Sequence, residues 1–455
     1  MKLFIALLTG KLLRLFCRLL HRGGTAAPGR IAMKICPELL SKLSKNVRCL
    51  VITGSNGKST CVRIAAKGLE EEGLSYFANF SGANLIEGIA TEFIMNSSLS
   101  GKCRKEYALL ETDELACKEV CRQLQPELIF VTNLFVDQVD RFGGVKGSFE
   151  GIKTGILNSP SSKLILNADD SVSALLGELP SGGVCYYGFS EAAALSCGYS
   201  GSSDVNECII CGGELEHSYM TFSHLGAFRC RSCGRAQPAA DFLVEEILSS
   251  DFESSRLLLS FRGERKELKI NLPALYNIYN GVGSFAALLS LGISEQSAAS
   301  ALSGFNCGFG RMEDFPSLGE KGGKMVLVKN GAGCDQVIQF LKGCGESFVL
   351  SIYLNNNVSD GVDISWIEGV DFEALRECSI SRIYVSGMQL EAMFERLIKA
   401  GFDGSIIIKE RDCSKLIAAL KGSKDRVFIL PTYTGMMAAR SEIIKQCGGS
   451  EFWER

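Results

Sequence analysis

Neither sign of charge dominates this 455-residue chain. Its 48 Lys and Arg against 51 Asp and Glu leave a net charge of −3, which gives no indication of nucleic acid as a partner. Long uncharged apolar runs are missing near the start. The longest, Leu3 to Gly10, is too short to span a bilayer. No small-residue cleavage site closely follows the apolar stretch Met1 to Leu20, which argues against a secretory leader. No internal repeat is visible. Histidine is scarce, with only His21, His217 and His224.

Cysteine, by contrast, is abundant at 19 residues. A chain this long is not a small disulfide scaffold. Many cysteines, such as Cys49, Cys61 and Cys344, stand singly in apolar runs and read as small core residues, which fits a reducing cytosol. The apolar fraction of 46 % is that of a globular protein, and the length predicts two or three domains. Leucines at helical spacing, with Lys2, Lys11, Arg14 and Arg18 between them, predict an amphipathic N-terminal segment over 1–45. Packing on the protein body is the simpler role for it, and docking on a membrane surface is the other.

The most informative ten residues run from Val51 to Thr60. An apolar strand (Cys49 to Ile52) leads into Thr53-Gly54-Ser55-Asn56-Gly57-Lys58-Ser59-Thr60, and a helical pattern follows from Thr60 to Glu72. Strand, glycine turn and helix N-terminus form a cradle whose amide groups point at a phosphate. Lys58 would reach the outer phosphates of ATP or GTP, and Ser59 or Thr60 would hold Mg²⁺. The general pattern wants a glycine where Ile52 stands.

Strand-like runs at Arg48 to Ile52, Tyr107 to Leu110, Leu128 to Val131 and Lys163 to Leu166 alternate with helical patterns. They predict an α/β domain with a doubly wound parallel sheet over 46–313. Polar alternation from Phe242 to Ile270 predicts an antiparallel addition, and Leu275 to Leu291 a helix. A second strand series, Lys324 to Val328, Phe348 to Ile352, Arg382 to Val385, Ser405 to Ile408 and Arg426 to Leu430, predicts a smaller α/β domain over 314–455.

Two C-x₂-C pairs, Cys208/Cys211 and Cys230/Cys233, are each followed by glycine. This spacing predicts a Cys₄ zinc ribbon inserted at about 205–237. Four protein ligands leave no open position, so the zinc is structural. His217 and His224 between the pairs read as surface or packing residues.

Glu111 ends an apolar strand and faces the crevice where nucleotides bind, as a Mg²⁺ ligand with Glu114 as its alternative. Asn133 and Asp137 follow another strand end, where metal or γ-phosphate contact competes with ordinary capping. Asn167 and Asp169, and Asn277 and Asn280, offer side-chain groups to a base. Arg311, in Gly310-Arg311-Met312-Glu313, offers a cation to phosphates.

In this order the segments resemble the Mur ligase family of ATP-dependent amide-forming enzymes. About fifty residues before the loop cannot hold that family's UDP-sugar-binding domain. That feature, the cysteine insertion, Ser81 to Asn84 and three C-terminal segments together resemble the MurT branch. Those segments are Val328 to Gly333, Leu354-Asn355-Asn356-Asn357 through Asp360-Gly361-Val362-Asp363-Ile364-Ser365-Trp366, and Leu430 to Met436. Departures are Gly331 in place of proline and Glu368 standing in for an acidic residue beside Trp366. A family carbamylated lysine cannot be assigned between Lys146 and Lys153.

The resemblance implies a cytoplasmic carbon–nitrogen ligase with glutamine as amido donor. Using ATP and Mg²⁺, it would amidate the D-glutamate α-carboxylate of the lipid II stem peptide through an acyl phosphate. A separate GatD-like glutaminase subunit would supply the ammonia, since no Cys–His pair here stands in a glutaminase setting. Lys58 and one of Asp360 and Asp363, with Asp360 preferred, would carry the chemistry. Two alternatives stay open: a folylpolyglutamate-synthase-like ligase acting on a soluble acceptor, and a non-catalytic nucleotide-binding scaffold.

Overall fold

The computed structural model describes residues 1–19, 24–135, 144–199, 203–251, 253–305 and 311–448, with Arg311 described for its backbone alone. The candidate Asp137 lies outside the described residues, as does the side chain of Arg311. The chain forms two compact units. One holds Met1–Ser249, Ser255–Asn271 and Tyr276–Phe305, and the other Ser250–Ser254, Leu272–Leu275 and Asn306–Arg455.

The first unit is built on strands β1 (Arg48–Thr53), β2 (Tyr76–Ala78), β3 (Tyr107–Glu111), β4 (Leu128–Val131), β5 (Lys163–Asn167) and β6 (Val184–Phe189). It continues with β7 (Leu215–Phe222), β8 (Leu225–Cys230), β9 (Phe242–Ser250), β10 (Ser255–Phe261) and β11 (Glu264–Ile270). Nine of these form one sheet in the order β11-β10-β9-β6-β5-β4-β1-β3-β2. Its central strands are parallel, with β1 between β3 and β4. β3 and β4 are buried along their whole length, because helices cover both faces of a parallel sheet.

The antiparallel addition spans β9 to β11, as the sequence pattern predicts: the four residues between the sheet neighbours β9 and β10 can join only antiparallel strands, and β10 pairs antiparallel to β11. It joins the rest of the sheet through a parallel pair, β9 beside β6, and the hairpin β7–β8 between them serves as the crossover that such a pair requires. β10 alternates buried residues with more open ones, as a strand with one wet face does.

At the start of the chain, helices Lys2–Leu19 and Ala27–Ile35 pack together, and the second lies on helix Ile86–Asn96. Among the described residues no helix is long and apolar enough to cross a membrane.

The second unit is a six-stranded sheet of β12 (Arg311–Phe315), β13 (Gly323–Val326), β14 (Phe348–Tyr353), β15 (Ile380–Ser386), β16 (Ile407–Lys409) and β17 (Arg426–Pro431). The order is β12-β13-β17-β14-β15-β16, parallel except for β12 against β13. β16 begins later than the apolar run Ser405 to Ile408 predicts. Asp403 accepts from the Ser405 amide at 2.8 Å and folds Gly404–Ile406 into a 3-10 turn first.

Candidate functional site

The chain leaves β1 through Gly54 and enters helix Lys58–Glu71 through Gly57. Both glycines have left-handed backbone, with φ of 124° and 86°. A side chain at Gly57 would place its Cβ 2.1 Å from Asn280 Oδ1, so the conformation and the space both demand glycine. The loop is clasped from the end of β4. Asn133 Oδ1 accepts from the Asn56 amide at 2.9 Å, and its Nδ2 donates to Asn56 O at 3.2 Å. Thr132 Oγ1 donates to the same carbonyl at 2.6 Å. Asn280, on helix Leu275–Ser290, donates to Asn277 Oδ1 at 3.3 Å, which sets its carboxamide against Gly57.

Lys58 is folded onto its own loop and hydrogen-bonds to Gly54 O and to Ser55 O. Its Nζ also pairs with Glu114 at 2.9 Å. Burial lowers the ammonium's pKa, but Glu114, Glu111 and Asp113 outweigh that and hold it above the usual lysine value. Lys58 is therefore a cation in neutral solution. Ser59 Oγ donates to Glu111 at the end of β3, so a hydroxyl and a carboxylate already meet where a Mg²⁺ ion would take them as ligands. Thr60 is buried in the first turn of the helix.

Asn79, which the sequence reading missed, fixes Glu111 in place. Its Oδ1 accepts from the Glu111 amide at 2.9 Å and its Nδ2 donates to the Glu111 carbonyl at 2.8 Å. Asn79 follows the three-residue edge strand β2, too short to show a pattern in sequence.

Asn167 and Asp169 are fully buried. The Asp169 carboxylate accepts from Tyr279 Oη at 2.6 Å, Gln237 Nε2 at 2.7 Å and the Phe189 amide at 2.9 Å. Its oxygens are thus occupied within the protein. Burial pushes its pKa up to about 6.

Asp170 beside it is structural in another way. It accepts from the Leu134 amide at 2.7 Å, next to Asn133, and from His224 Nε2 at 3.1 Å. His224 forms the β7–β8 turn, is fully buried, and reaches Asp204 through Nδ1 at 2.7 Å. Of the two histidines between the cysteine pairs, His224 is thus a packing residue that ties the hairpin to the nucleotide loop.

At the other end of the hairpin the sulfurs of Cys208, Cys211, Cys230 and Cys233 all lie within 4.8 Å of one another. Cys208 and Cys233 are 3.8 Å apart, and Cys211 and Cys230 3.5 Å. A tetrahedral zinc with Zn–S of about 2.3 Å needs sulfurs about 3.8 Å apart, so the four thiols fit that ion. Lys146 is exposed and Lys153 pairs with Glu150 at 2.9 Å.

In the second unit, Asp360 and Asp363 have different surroundings. Asp360 is buried beyond the end of β14. It accepts from the Thr434 amide and hydroxyl, both at 2.6 Å, and from the Asn357 amide at 3.0 Å. Thr434 lies in the first turn of helix Tyr433–Cys447, which follows β17. Asn355 and Asn357 each donate to Thr434 Oγ1 at 2.9 Å. β14 and β17 are neighbouring parallel strands, so this network gathers at their carboxyl ends, where open α/β sheets bind ligands. Asp363 is exposed and, among the described residues, holds Ser365, through its amide at 2.8 Å and its hydroxyl at 2.9 Å; those bonds lower its pKa.

Comparison with known proteins gives a family for both units. The Mur ligase middle domain matches residues 52–207, and the MurT ligase C-terminal family matches residues 327–436. A lipid II isoglutaminyl synthase (glutamine-hydrolyzing) subunit MurT from Streptococcus pneumoniae is 31 % identical over 442 residues, covering 97 % of this chain and 96 % of the relative. Its counterpart from Staphylococcus aureus is 30 % identical over 452 residues, covering 99 % and 100 %. Among solved structures, MurF from Acinetobacter baumannii superposes with a TM-score of 0.67 at 15 % identity, covering 92 % of this chain and 81 % of that one. That likeness establishes the fold.

Proposed function

The chain belongs to the MurT family of Mur ligases, and from that premise we propose that it is the synthetase subunit of a lipid II isoglutaminyl synthase. It would convert the α-carboxylate of D-glutamate in the lipid II stem peptide to the amide, at the expense of ATP. The observation that carries this reading is the similarity to curated MurT subunits over nearly the whole length of both proteins.

A carboxylate is a poor electrophile because oxide is a poor leaving group. In the proposed sequence a carboxylate oxygen attacks the γ-phosphorus of ATP, the bond to ADP breaks, and an acyl phosphate forms. The lone pair of ammonia then adds to the carbonyl carbon, the C–O bond to phosphate breaks, and nitrogen gives up a proton. The first step brings two anions together, so it needs concentrated positive charge. Lys58 and the amides of Gly57 and Lys58 at the helix start would supply it, since those of Ser55 and Asn56 are held by Asn133. On binding nucleotide, Lys58 would leave Gly54 O and Ser55 O for the phosphates while Glu114 keeps it charged. Ser59 and Glu111 would hold Mg²⁺, which neutralises phosphate charge. Asn133 and Asn280 keep the loop in shape from behind. Arg311 would serve the phosphates and Asn277 would border the base end, whereas Asn167 and Asp169, fully buried, would support the site from within the protein.

For the second step we assign Asp360 rather than Asp363 to orienting ammonia and taking its proton. Asp360 is fixed by two threonine bonds and one amide at a strand-end crevice. Asp363 is exposed and, among the described residues, bound to its near neighbour Ser365. Ammonia would come from a separate GatD-like glutaminase subunit, with the work done in the cytoplasm at the inner face of the membrane that holds lipid II. The four cysteines would hold a structural zinc.

The test is mass spectrometry of lipid II incubated with the purified chain, MgATP and concentrated ammonium, then with a glutaminase subunit and glutamine. A product about one mass unit lighter at the stem glutamate, as OH gives way to NH₂, is expected. Intact ATP binding with no mass shift under any condition would reject this acceptor and favour a soluble one.

A further inference from the structure

The first helix, Lys2–Leu19, turns the wrong face outward for a helix in water. Ala6, Leu7 and Gly10 are buried, with Gly10 close to Ile94 and Ala32. The far side carries Phe4, Leu8, Leu12, Leu15, Phe16 and Leu19, whose exposures run from 38 to 71 %. At 3.6 residues per turn these six fall within an arc of about 120° that runs the length of the helix. Lys11 and Arg18 border that arc on one side and Lys2 on the other. The helix has no acidic residue. Arg104 stands close enough to Lys11 to repel it, while Glu92 answers Arg14 and Arg18.

A surface helix normally buries its apolar stripe and exposes its polar one. Here both stripes are apolar; Lys2, Lys11 and Arg18 stand at the seams, while Arg14 lies on the buried side toward Glu92. We propose that this helix lies in the plane of an anionic bilayer surface, with its leucine and phenylalanine row among the acyl chains and Lys2, Lys11 and Arg18 at the phosphate headgroups. The charge pattern selects this occupant. Basic side chains that border an apolar row extend their stems along it and place their charges at headgroup depth. Anionic lipid answers their sign. An 18-residue helix is about 27 Å long, and its charges along both borders suit lying on a membrane rather than crossing it. Resting on the lipid-linked substrate proposed above, this placement brings ligase and acceptor onto one surface.

The test uses the full chain with its glutaminase partner and vesicles of phosphatidylcholine with or without phosphatidylglycerol. Sedimentation with the phosphatidylglycerol vesicles is expected, weakening as salt rises. A Leu12→Ser/Leu15→Ser/Phe16→Ser variant should partition roughly a hundredfold less. It should still co-elute with the glutaminase and keep the parent's oligomeric state. It should also amidate a soluble stem-peptide analogue at the parent's rate while slowing on vesicle-borne lipid II. A second variant, Lys11→Glu/Arg18→Glu, leaves the apolar row intact and should lose the preference for anionic vesicles. Undiminished vesicle binding by both variants would overturn the inference. So would loss of the glutaminase, or of self-association, in the triple variant, since that would make the row a protein interface. Vesicle binding by the parent with no amidation of any acceptor would uphold the surface and overturn the proposed reaction instead.

Discussion

Replacing His224 tests how the cysteine hairpin supports the nucleotide loop. Its imidazole is fully buried with a carboxylate at each ring nitrogen, Asp170 at 3.1 Å and Asp204 at 2.7 Å. Both nitrogens must then donate, which makes the ring an imidazolium. Burial lowers its pKa, but the two aspartates outweigh burial and lift it to about 10 from an ordinary 6.5. Below pH 6.5 folded and unfolded chains both carry the proton, and the stabilisation is complete. Between 6.5 and 10 only the folded chain carries it, so stability falls with rising pH by about 1.4 kcal/mol per unit. Over the whole interval that amounts to at most roughly 5 kcal/mol, less the screening at the part-exposed Asp204. His224→Gln keeps a hydrogen-bonding side chain but removes the charge. It leaves Asp170 buried beside no cation, at a cost of about 3–5 kcal/mol at neutral pH. Urea unfolding of parent and variant from pH 6.5 to 9 is the assay. The parent should lose stability more steeply, so that the gap between the two curves narrows as pH rises. Parallel curves would refute the charged ring. Because Asp170 also holds the Leu134 amide beside Asn133, the variant should bind ATP more weakly as well.

Three further outcomes follow from the same contacts. Gly57→Ala combines a backbone penalty of about 1–2 kcal/mol with a clash at Asn280; calorimetry should find ATP binding weakened by roughly tenfold or more, and unchanged affinity would dismiss the cradle. Cys208→Ser should lower both the zinc-to-protein ratio, measured by atomic absorption, and the melting temperature, whereas an unchanged ratio would count against the tetrad. Asp360→Asn should abolish amide formation while leaving ATP binding within about twofold, and Asp363→Asn should alter neither, because only Asp360 is fixed at the strand-end crevice; equal losses in both variants would undo the assignment.

Local signals made much of the molecule readable in advance. The phosphate loop is contiguous, so its strand, glycines, lysine and helix appear in one window. Glu111 showed itself as a carboxylate closing an apolar strand. β4 runs from Leu128 to Val131, the bounds its apolar run predicts, because a strand buried on both faces has abrupt polar ends. Alternation marked the antiparallel addition over β9 to β11, but not how it joins the sheet: β9 pairs parallel to β6, because the hairpin inserted between them serves as the crossover. Asn79 left no trace, since its strand has only three residues.

The sequence by itself determined the α/β class, the phosphate loop and the cysteine tetrad, each set by residues near one another along the chain. Only the tertiary structure decided that Asn280 stands against Gly57, that two aspartates enclose His224, and that Thr434 holds Asp360. It also decided which side of the first helix faces solvent. Periodicity reports that a helix has an apolar stripe, but not what that stripe touches. Such contacts join residues far apart in the chain, and hydrogen-bonding and apolar groups carry no local mark of their distant partners.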